Sequence, residues 1–310
     1  MLTDHDRRLL SRAIAAVGLG DAEPVRRLNA ADARSGVFLL RRGGRELVVK
    51  ATADPIGLAG ARLEAEVLTR WADDLGVAVP VVEAVAVRGD LVVMVLPAYR
   101  PCTADDRQSE REWCDLAVDL GALHRDGPAL RAGLVARPWP AAQRISAGLR
   151  RWRDLEPELP LDGAAALLAD AARPPSRLPT VLIHGDCHLG NVLTDAAGRR
   201  LWIDWQDVRL GSGVEDLALL WQRAEFDGAR PPRDAMLVAY ETARGRSAGP
   251  DLRRALAIEE LRLLVADWPD FLPGVPAARR APLVRSFRQA VLTCAGIDVT
   301  HAGQGPAGSV

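Results

Sequence analysis

Apolar residues recur with two different periodicities along the chain. Over roughly the first hundred residues they form short alternating or continuous runs. These runs predict strands at 25–28, 37–40, 46–50, 77–82, 85–87 and 90–96, the last of which closes a five-stranded antiparallel sheet. Helices are predicted at 9–17 and 61–71, because their apolar residues recur every three to four positions.

The helical periodicity, with apolar residues every three to four positions, dominates the rest of the chain. It predicts a helix after residue 105 and further helices at 141–155, 161–172, 215–224, 233–244, 250–268 and 282–296. We therefore expect an α+β protein with a β-rich N-lobe at 1–96, a hinge at 97–101 and a helical C-lobe at 102–299. The Gly-, Ala- and Pro-containing segment 300–310 is predicted to be disordered.

Composition narrows the class of protein. The 310 residues are 48% hydrophobic and 26% charged, which is typical of a soluble globular protein. No apolar run approaches ~20 residues, so no membrane span is expected. A net charge of −1 gives no electrostatic case for nucleic acid. The charged N-terminus lacks a signal-peptide core, and four scattered cysteines suggest reduced thiols, so we expect a cytoplasmic protein.

The basic residues are almost all arginine. Of 40 lysine and arginine residues, the sequence contains one lysine, Lys50, at the end of a predicted strand. A compact ammonium at this position is an indication of function, since arginine is otherwise preferred throughout. Val49 precedes Lys50, which excludes the Gly-Lys pair of a Walker A loop.

Polar residues interrupt apolar runs at two further places. The stretch 181–193 reads V-L-I-H-G-D-C-H-L-G-N-V-L, and 201–205 reads L-W-I-D-W. Asp186, Asn191 and Asp204 thus follow or flank short buried strands. Their oxygen atoms suit a hard cation such as Mg²⁺, which proteins bind through one or two carboxylates together with substrate phosphates.

The order and spacing of these pieces resemble the aminoglycoside phosphotransferase family, a small-molecule branch of the protein-kinase superfamily. The resemblance rests on H-G-D-x-x-x-x-N, on I-D-W, and on Gly211 followed by 215–218. It implies a two-lobed protein-kinase-like fold and an enzyme that transfers the γ-phosphate of ATP, with GTP possible, to an alcohol group.

The resemblance also implies roles for individual residues. Asp186 would be the catalytic base, Asn191 and Asp204 would hold Mg²⁺, and Lys50 would hold the α- and β-phosphates. Glu64 would pair with Lys50. We prefer Glu64 to Glu66 because only Glu64 shares the apolar face of its predicted helix.

Other residues would hold the nucleotide by their position alone. Ser35 belongs to the turn that covers the phosphates in kinases, Met94 matches the gatekeeper, and Val95 follows it. Pro97 falls where the family has a backbone N–H donor, which proline lacks. Either Leu96 or Ala98 then donates, or the base is recognised differently, and the choice between ATP and GTP stays open.

The remaining polar residues near the motif have less certain roles. His184 is interpreted as scaffold, Asp216 as a brace beneath the catalytic loop by family resemblance, and His124 as a helix-end or packing residue. Cys187 is predicted to be a bystander. For His188, contact with substrate and a structural role are both open.

Two rival interpretations follow from the same residues. His184, Asp186, Cys187 and His188 could ligate a transition metal in a metallohydrolase. That interpretation leaves Lys50, Asn191 and Asp204 unexplained. A nucleotide-binding pseudokinase is the other rival, and the complete set of charged positions argues against it.

The acceptor is the least determined part. Candidate substrate residues in the C-lobe, besides His188, are acidic or aromatic: Glu259, Asp267, Trp268 and Asp270. The nearly balanced charge and eight tryptophans also suit a less charged acceptor. We predict that the substrate is a small hydroxylated molecule, and we favour an antibiotic of the aminoglycoside, nucleoside or other sugar-bearing type. A metabolic alcohol is the alternative, and the protein is expected to be a monomer or weak homodimer.

Overall fold

The computed structural model describes residues 2–29, 35–102, 108–125, 133–171, 180–245 and 250–295. The chain forms two compact units. One contains residues 1–102 and 190–208, and the other contains residues 103–189 and 209–310. Residues 190–208, which the prediction placed in the C-lobe, therefore belong to the first unit. The segment 300–310 lies outside the described residues.

A five-stranded antiparallel sheet is the main element of the first unit. Its strands, in the spatial order β1-β2-β3-β5-β4, are β1 (Glu23–Arg27), β2 (Ser35–Arg42), β3 (Arg45–Thr52), β4 (Ala84–Arg88) and β5 (Leu91–Pro97). The β2–β3 hairpin turns at Gly43 and Gly44, which both have positive φ angles. The predicted sheet is confirmed, with β3 at its centre.

Helix α1 (Asp4–Val17) covers one face of this sheet. It begins with a capping box, in which Thr3 and Asp6 exchange hydrogen bonds with each other's backbone amides. The buried Asp6 carboxylate also pairs with Arg27 of β1. In β2, a Cβ atom on residue 36 would lie 2.5 Å from the ring of Phe38, which explains the glycine at this position.

A smaller three-stranded sheet completes the first unit. Its strands β6 (Arg100–Pro101), β8 (Val192–Thr194) and β9 (Arg200–Trp202) are antiparallel, with β8 in the middle. Helix α2 (Leu58–Glu66) also belongs to this unit. The short strands matter for function because two predicted metal ligands lie at their ends.

The second unit is mostly helical. Its helices are α3 (Glu110–Leu123), α4 (Ala142–Leu155), α5 (Leu161–Ala171), α6 (Val214–Phe226), α7 (Arg233–Arg244), α8 (Pro250–Ala266) and α9 (Ala277–Cys294). Strands β7 (Val181–Ile183) and β10 (Arg209–Gly211) form an antiparallel pair. Among the described residues, no helix has the length and apolar character needed to cross a bilayer.

Three predicted elements differ from the structure. Residues 77–82 form no strand, because the Ala78 carbonyl accepts from Trp202 and the Val81 amide donates to the Tyr99 hydroxyl. The helix predicted at 61–71 begins at Leu58 and widens into a π-helical turn after Glu66. There the Thr69 hydroxyl donates to the Ala65 carbonyl, a contact that competes with regular helical bonding.

The last helix begins earlier than predicted. It starts at Ala277, so that Pro282 lies inside it. The residues before the proline are alanine and arginine, which are strong helix formers and outweigh the hydrogen bond that proline removes.

Candidate active site

Lys50 lies in the centre of the sheet, with Val37 of β2 on one side and Met94 of β5 on the other. Its ammonium is 2.6 Å from Glu64 Oε2 and 2.9 Å from Asp204 Oδ1. Glu64 is buried, whereas Glu66 is partly exposed and faces Arg70. The pairing of Lys50 with Glu64 is the one that helical periodicity predicts.

The cluster is strongly coupled electrostatically. Burial acts to lower the pKa of Lys50, but the charges of Glu64 and Asp204 outweigh it and the pKa lies above its ordinary value. Burial raises the pKa of Glu64, and the negative charge of Asp204 adds to this effect while Lys50 opposes it. Lys50 therefore stays cationic between two carboxylates.

Asp204 follows β9 in a backbone conformation that only a few residue types adopt. Its φ of 64° and ψ of 56° are left-handed, and it is the only non-glycine residue with positive φ in the described part of the chain. Such a conformation costs about 1–2 kcal/mol. The Gln206 side-chain amide donates to Asp204 Oδ1 at 2.6 Å, so this oxygen has two donors.

Asn191 is brought towards Asp204 by the register of β8 and β9. Val192 pairs with Trp202, and the Asn191 carbonyl accepts from the Ile203 amide at 3.0 Å. Asn191 and Asp204 thus lie at the same end of the ladder. An amide oxygen and a carboxylate fit Mg²⁺, which takes oxygen ligands and keeps several waters.

A cavity of about 830 Å³ opens in the first unit beside these residues. This volume is in the range of small-molecule sites. Its apolar wall includes Val37, Val48 and Ile203, and Lys50 and Asp204 form its charged end. The arrangement suits a ligand with a flat apolar part and an anionic part.

The predicted nucleotide residues differ in their relation to this cavity. Ser35, Leu96 and Ala98 line it, whereas Met94 and Val95 are buried in β5 and are absent from its described wall. The Ser35 hydroxyl is 2.6 Å from that of Thr52, since Ser35 begins β2 instead of lying in a turn. The preceding residues, 30–34, are outside the described ranges.

The loop that carries Asp186 follows β7 in the second unit. The amides of His184 and Gly185 both donate to the Asp216 carboxylate, at 2.7 and 2.9 Å. Gly185 has a φ of 85°, which explains a glycine between the histidine and the aspartate. Asp216 itself is fully buried and lies 3.1 Å from His124 Nε2.

The ionisation of Asp216 depends on these contacts. Burial alone would raise the pKa of this carboxyl, but the hydrogen bond and charge of His124, together with His184 and the Gly185 amide, hold the pKa below its ordinary value. Asp216 is thus a buried carboxylate that orients the loop through its main chain, as the predicted brace requires.

The side chains of the loop divide into exposed and buried ones. Asp186 is 42% exposed and lies 3.6 Å from His188 Nε2. His184 is buried, and its Nδ1 accepts from the Asp186 amide at 3.3 Å. Cys187 is buried and its pKa lies well above the ordinary value because of burial, so it is a neutral thiol.

These facts disfavour the metallohydrolase interpretation. A metal-bound cysteine must be a thiolate, and the environment of Cys187 opposes that form. Within the described ranges, no group of three or more histidine, cysteine or acidic residues has the arrangement of a metal site. None of the four cysteines, Cys102, Cys114, Cys187 and Cys294, forms a disulfide in the described part of the chain.

The predicted acidic substrate pocket is already neutralised. Asp267 pairs with Arg137 at 2.8 Å, and Asp270 pairs with Arg144 at 3.2 Å. Glu259 pairs with Arg262 at 2.5 Å. Trp268 is buried and donates to the Gln222 side chain. For Asp267 and Asp270 the acidic residues alone did not reveal this, because Arg137 and Arg144 are distant in sequence.

Sequence reasoning missed two residues that hold the site together. Gln206 follows the I-D-W motif by one position, and its side chain bonds to Asp204. His124 contacts both Asp216 and the Tyr240 hydroxyl, the latter at 2.9 Å. The histidine stands alone in its helical segment, so no local pattern signals this role.

With the geometry described, comparison with known proteins decides the family. The sequence model described as the phosphotransferase enzyme family matches residues 25–258, which is most of the chain. The chain belongs to this phosphotransferase family. The resemblance noted from the motifs is thereby confirmed, and the chain is a phosphotransferase that acts on hydroxyl groups of small molecules. None of the curated proteins matches the chain.

Several solved structures share the fold. An aminoglycoside-3'-phosphotransferase of type VIII is 26% identical, with a TM-score of 0.53 over 85% of this chain and 100% of that one. The choline kinase LicA of Streptococcus pneumoniae is 17% identical, with a TM-score of 0.60 over 94% and 100%. A spectinomycin phosphotransferase, in complex with ADP and spectinomycin, is 14% identical, with a TM-score of 0.58 over 94% and 98%.

These similarities confirm the predicted fold class, a kinase-like fold with an antiparallel sheet in its N-terminal region and a helical C-terminal region. The solved relatives include enzymes for antibiotics and one for choline. The acceptor of this phosphotransferase is therefore a separate question from its fold.

Proposed function

We propose that the phosphotransferase transfers the γ-phosphate of ATP to a hydroxyl of a small molecule, with Asp186 as catalytic base. The observation that carries the proposal is the cavity of the first unit. Its charged end combines Lys50, Glu64 and Asp204, which is a suitable receptor for a metal-bound polyphosphate.

Each residue of that cluster has a distinct task. Lys50 binds phosphate oxygens, and Glu64 keeps its ammonium in place from a buried position. Asn191 and Asp204 would hold Mg²⁺, which would neutralise the charge of the phosphate oxygens. Asp204 Oδ1 already accepts hydrogen bonds from Lys50 and Gln206, so the carboxylate would use its other oxygen to hold a cation.

Asp186 acts on the acceptor. An acceptor oxygen bonds to the γ-phosphorus, the bond from that phosphorus to the β,γ-bridging oxygen breaks, and the hydroxyl proton passes to Asp186. Partial exposure makes the carboxylate accessible to a substrate. The His184 and Gly185 amides, both bonded to Asp216, fix the direction of the loop.

ATP as donor is supported by the ADP in the spectinomycin phosphotransferase, although that relative establishes only the fold. The similarity to an aminoglycoside-3'-phosphotransferase supports an antibiotic acceptor. The choline kinase similarity supports the alternative, a metabolic alcohol. We place the enzyme in the cytoplasm, in keeping with cysteines that form no disulfide. We further propose that it is a monomer or weak homodimer.

A nucleotide-consumption screen tests the proposal. The panel includes aminoglycosides, macrolides, nucleosides, choline and other amino alcohols, and Asp186→Ala serves as the blank. We expect one acceptor class to stimulate Mg²⁺-dependent ATP consumption and to yield a phosphorylated product by mass spectrometry. Consumption equal to the blank for every acceptor, with no ATP binding, would refute it.

A further inference from the structure

Three consecutive residues, Leu96–Ala98, line the cavity, and their main-chain N–H groups could in principle bind a ligand. The Ala98 amide donates to the Glu46 carbonyl at 3.1 Å, so it is already used within the sheet. Pro97 has no N–H group. Two of the three positions therefore have no N–H to offer a ligand.

The third position, Leu96, follows from the register of the sheet. Glu46 lies opposite Ala98, and the unbroken β3–β5 register pairs Leu47 with Pro97 and Val48 with Leu96. Antiparallel pairs alternate between hydrogen-bonded and non-hydrogen-bonded ones. Since Ala98 is hydrogen-bonded to Glu46, Leu96 is hydrogen-bonded to Val48 and its amide is occupied as well.

Pro97 occupies the non-hydrogen-bonded pair between these two. Its carbonyl therefore points away from β3. Leu96–Ala98 thus has no N–H left for a ligand, and the Pro97 carbonyl, on a residue that lines the cavity, is an acceptor that β3 does not use. An adenine edge carries both a donor, the exocyclic amine, and an acceptor, ring nitrogen N1, so only half of that edge is matched.

We infer that this phosphotransferase recognises the base of its nucleotide through the exocyclic amine, with the Pro97 carbonyl as acceptor, and leaves N1 without a main-chain donor. The inference rests on the proposed nucleotide site. It makes Pro97 the residue that determines base specificity, since any other residue would present an N–H at this position.

The test compares the affinities of three nucleotides for the full-length protein by calorimetry. ATP carries both groups, 1-deaza-ATP lacks the N1 acceptor, and purine riboside triphosphate lacks the amine. We expect 1-deaza-ATP to bind within about threefold of ATP, and purine riboside triphosphate to bind about tenfold more weakly, the value of one hydrogen bond. A loss larger than threefold for 1-deaza-ATP, or none for purine riboside triphosphate, overturns the inference.

A variant reverses the preference. Pro97→Ala restores the N–H, so we expect ATP to bind about fivefold better than 1-deaza-ATP to this variant. Pro24→Ala, at an exposed position of β1, is the matched control and should bind both nucleotides as the wild type does. An unchanged ratio in folded Pro97→Ala protein contradicts the inference.

The two proposals fail in different ways. If ATP itself does not bind, the proposed function is lost together with the inference. If ATP binds but the removal of N1 weakens it, the phosphotransferase proposal stands and only the mode of base recognition is refuted. Should Pro97→Ala not fold, the wild-type comparison of the three nucleotides decides alone.

Discussion

The two clusters that carry the proposed chemistry are held in opposite ways. In the first unit, Lys50, Glu64 and Asp204 meet side chain to side chain, and opposite charges fix their positions. In the second unit, Asp186 is oriented by its main chain, because neighbouring amides bond to the buried Asp216.

This difference separates binding from chemistry. The Lys50 ammonium attracts negative charge, so substitutions in its cluster should weaken nucleotide binding and the stabilisation of the charged transition state. In the proposed mechanism the Asp186 loop needs a fixed direction, and Asp216, which accepts from two loop amides, is fully buried and so is a positioning residue. Four predictions test this separation.

The largest effect is expected at Asp186. Asp186→Asn keeps the size of the side chain but removes the proton acceptor, so kcat should fall about 10³-fold while the KM for ATP changes less than about twofold. Steady-state kinetics with the best acceptor measures both. Asp90→Asn, at an exposed carboxylate paired with Arg12, is the control and should leave kcat unchanged. A fall in kcat below about tenfold would contradict the role of base.

The next effect concerns Asp216. Asp216→Asn leaves His124 and two loop amides without their charged partner, so the free energy of unfolding should fall by about 3 kcal/mol. Urea denaturation followed by circular dichroism measures the change. Asp162→Asn, on an exposed surface of α5, is the matched control and should be neutral.

The same variant has a pH signature. Because the folded pKa of Asp216 lies below its unfolded value, its carboxylate stabilises the fold above the unfolded pKa. That contribution is lost as pH falls through the folded pKa. The difference in unfolding free energy between wild type and Asp216→Asn should therefore shrink between about pH 5 and pH 3. A pH-independent difference would show that the carboxylate charge is not what holds the loop.

The smallest effect distinguishes two neighbouring glutamates. Glu64→Gln removes the charge that holds Lys50, so kcat/KM for ATP should fall about tenfold, about 1.4 kcal/mol. Glu66→Gln, two residues away and paired only with Arg70 at 3.4 Å, should change it less than about twofold. Equal effects in the same kinetic assay would refute the assignment of Glu64.

The local parts of the site were predictable because they are contiguous. The loop from His184 to Asn191 and the I-D-W segment lie on short apolar strands, so their spacing alone places the polar groups at strand ends. The choice of Glu64 was also local, since helical periodicity separates it from Glu66. In contrast, residues 77–82 have the composition of a strand, but isolated partners take their backbone bonds.

Charge balance in the second unit was not predictable. Asp267 and Asp270 read as a candidate acidic pocket in the sequence, yet Arg137 and Arg144 neutralise them from more than one hundred residues away. The same holds for Trp268, whose indole suggested a substrate contact and which is buried against Gln222. Long-range pairing decides whether a charged or aromatic residue is free to meet a ligand.

The sequence by itself determined the family, the alternation of sheet and helix, and the local order of the reactive groups. These depend on periodicity and on spacing within a few residues, which are properties of a linear chain. Only the tertiary structure decided that Lys50 donates to Asp204, 154 positions away, and that the Ala98 amide donates to the Glu46 carbonyl. Such contacts depend on strand register and burial, which fix the partners of a polar group only after the chain has folded.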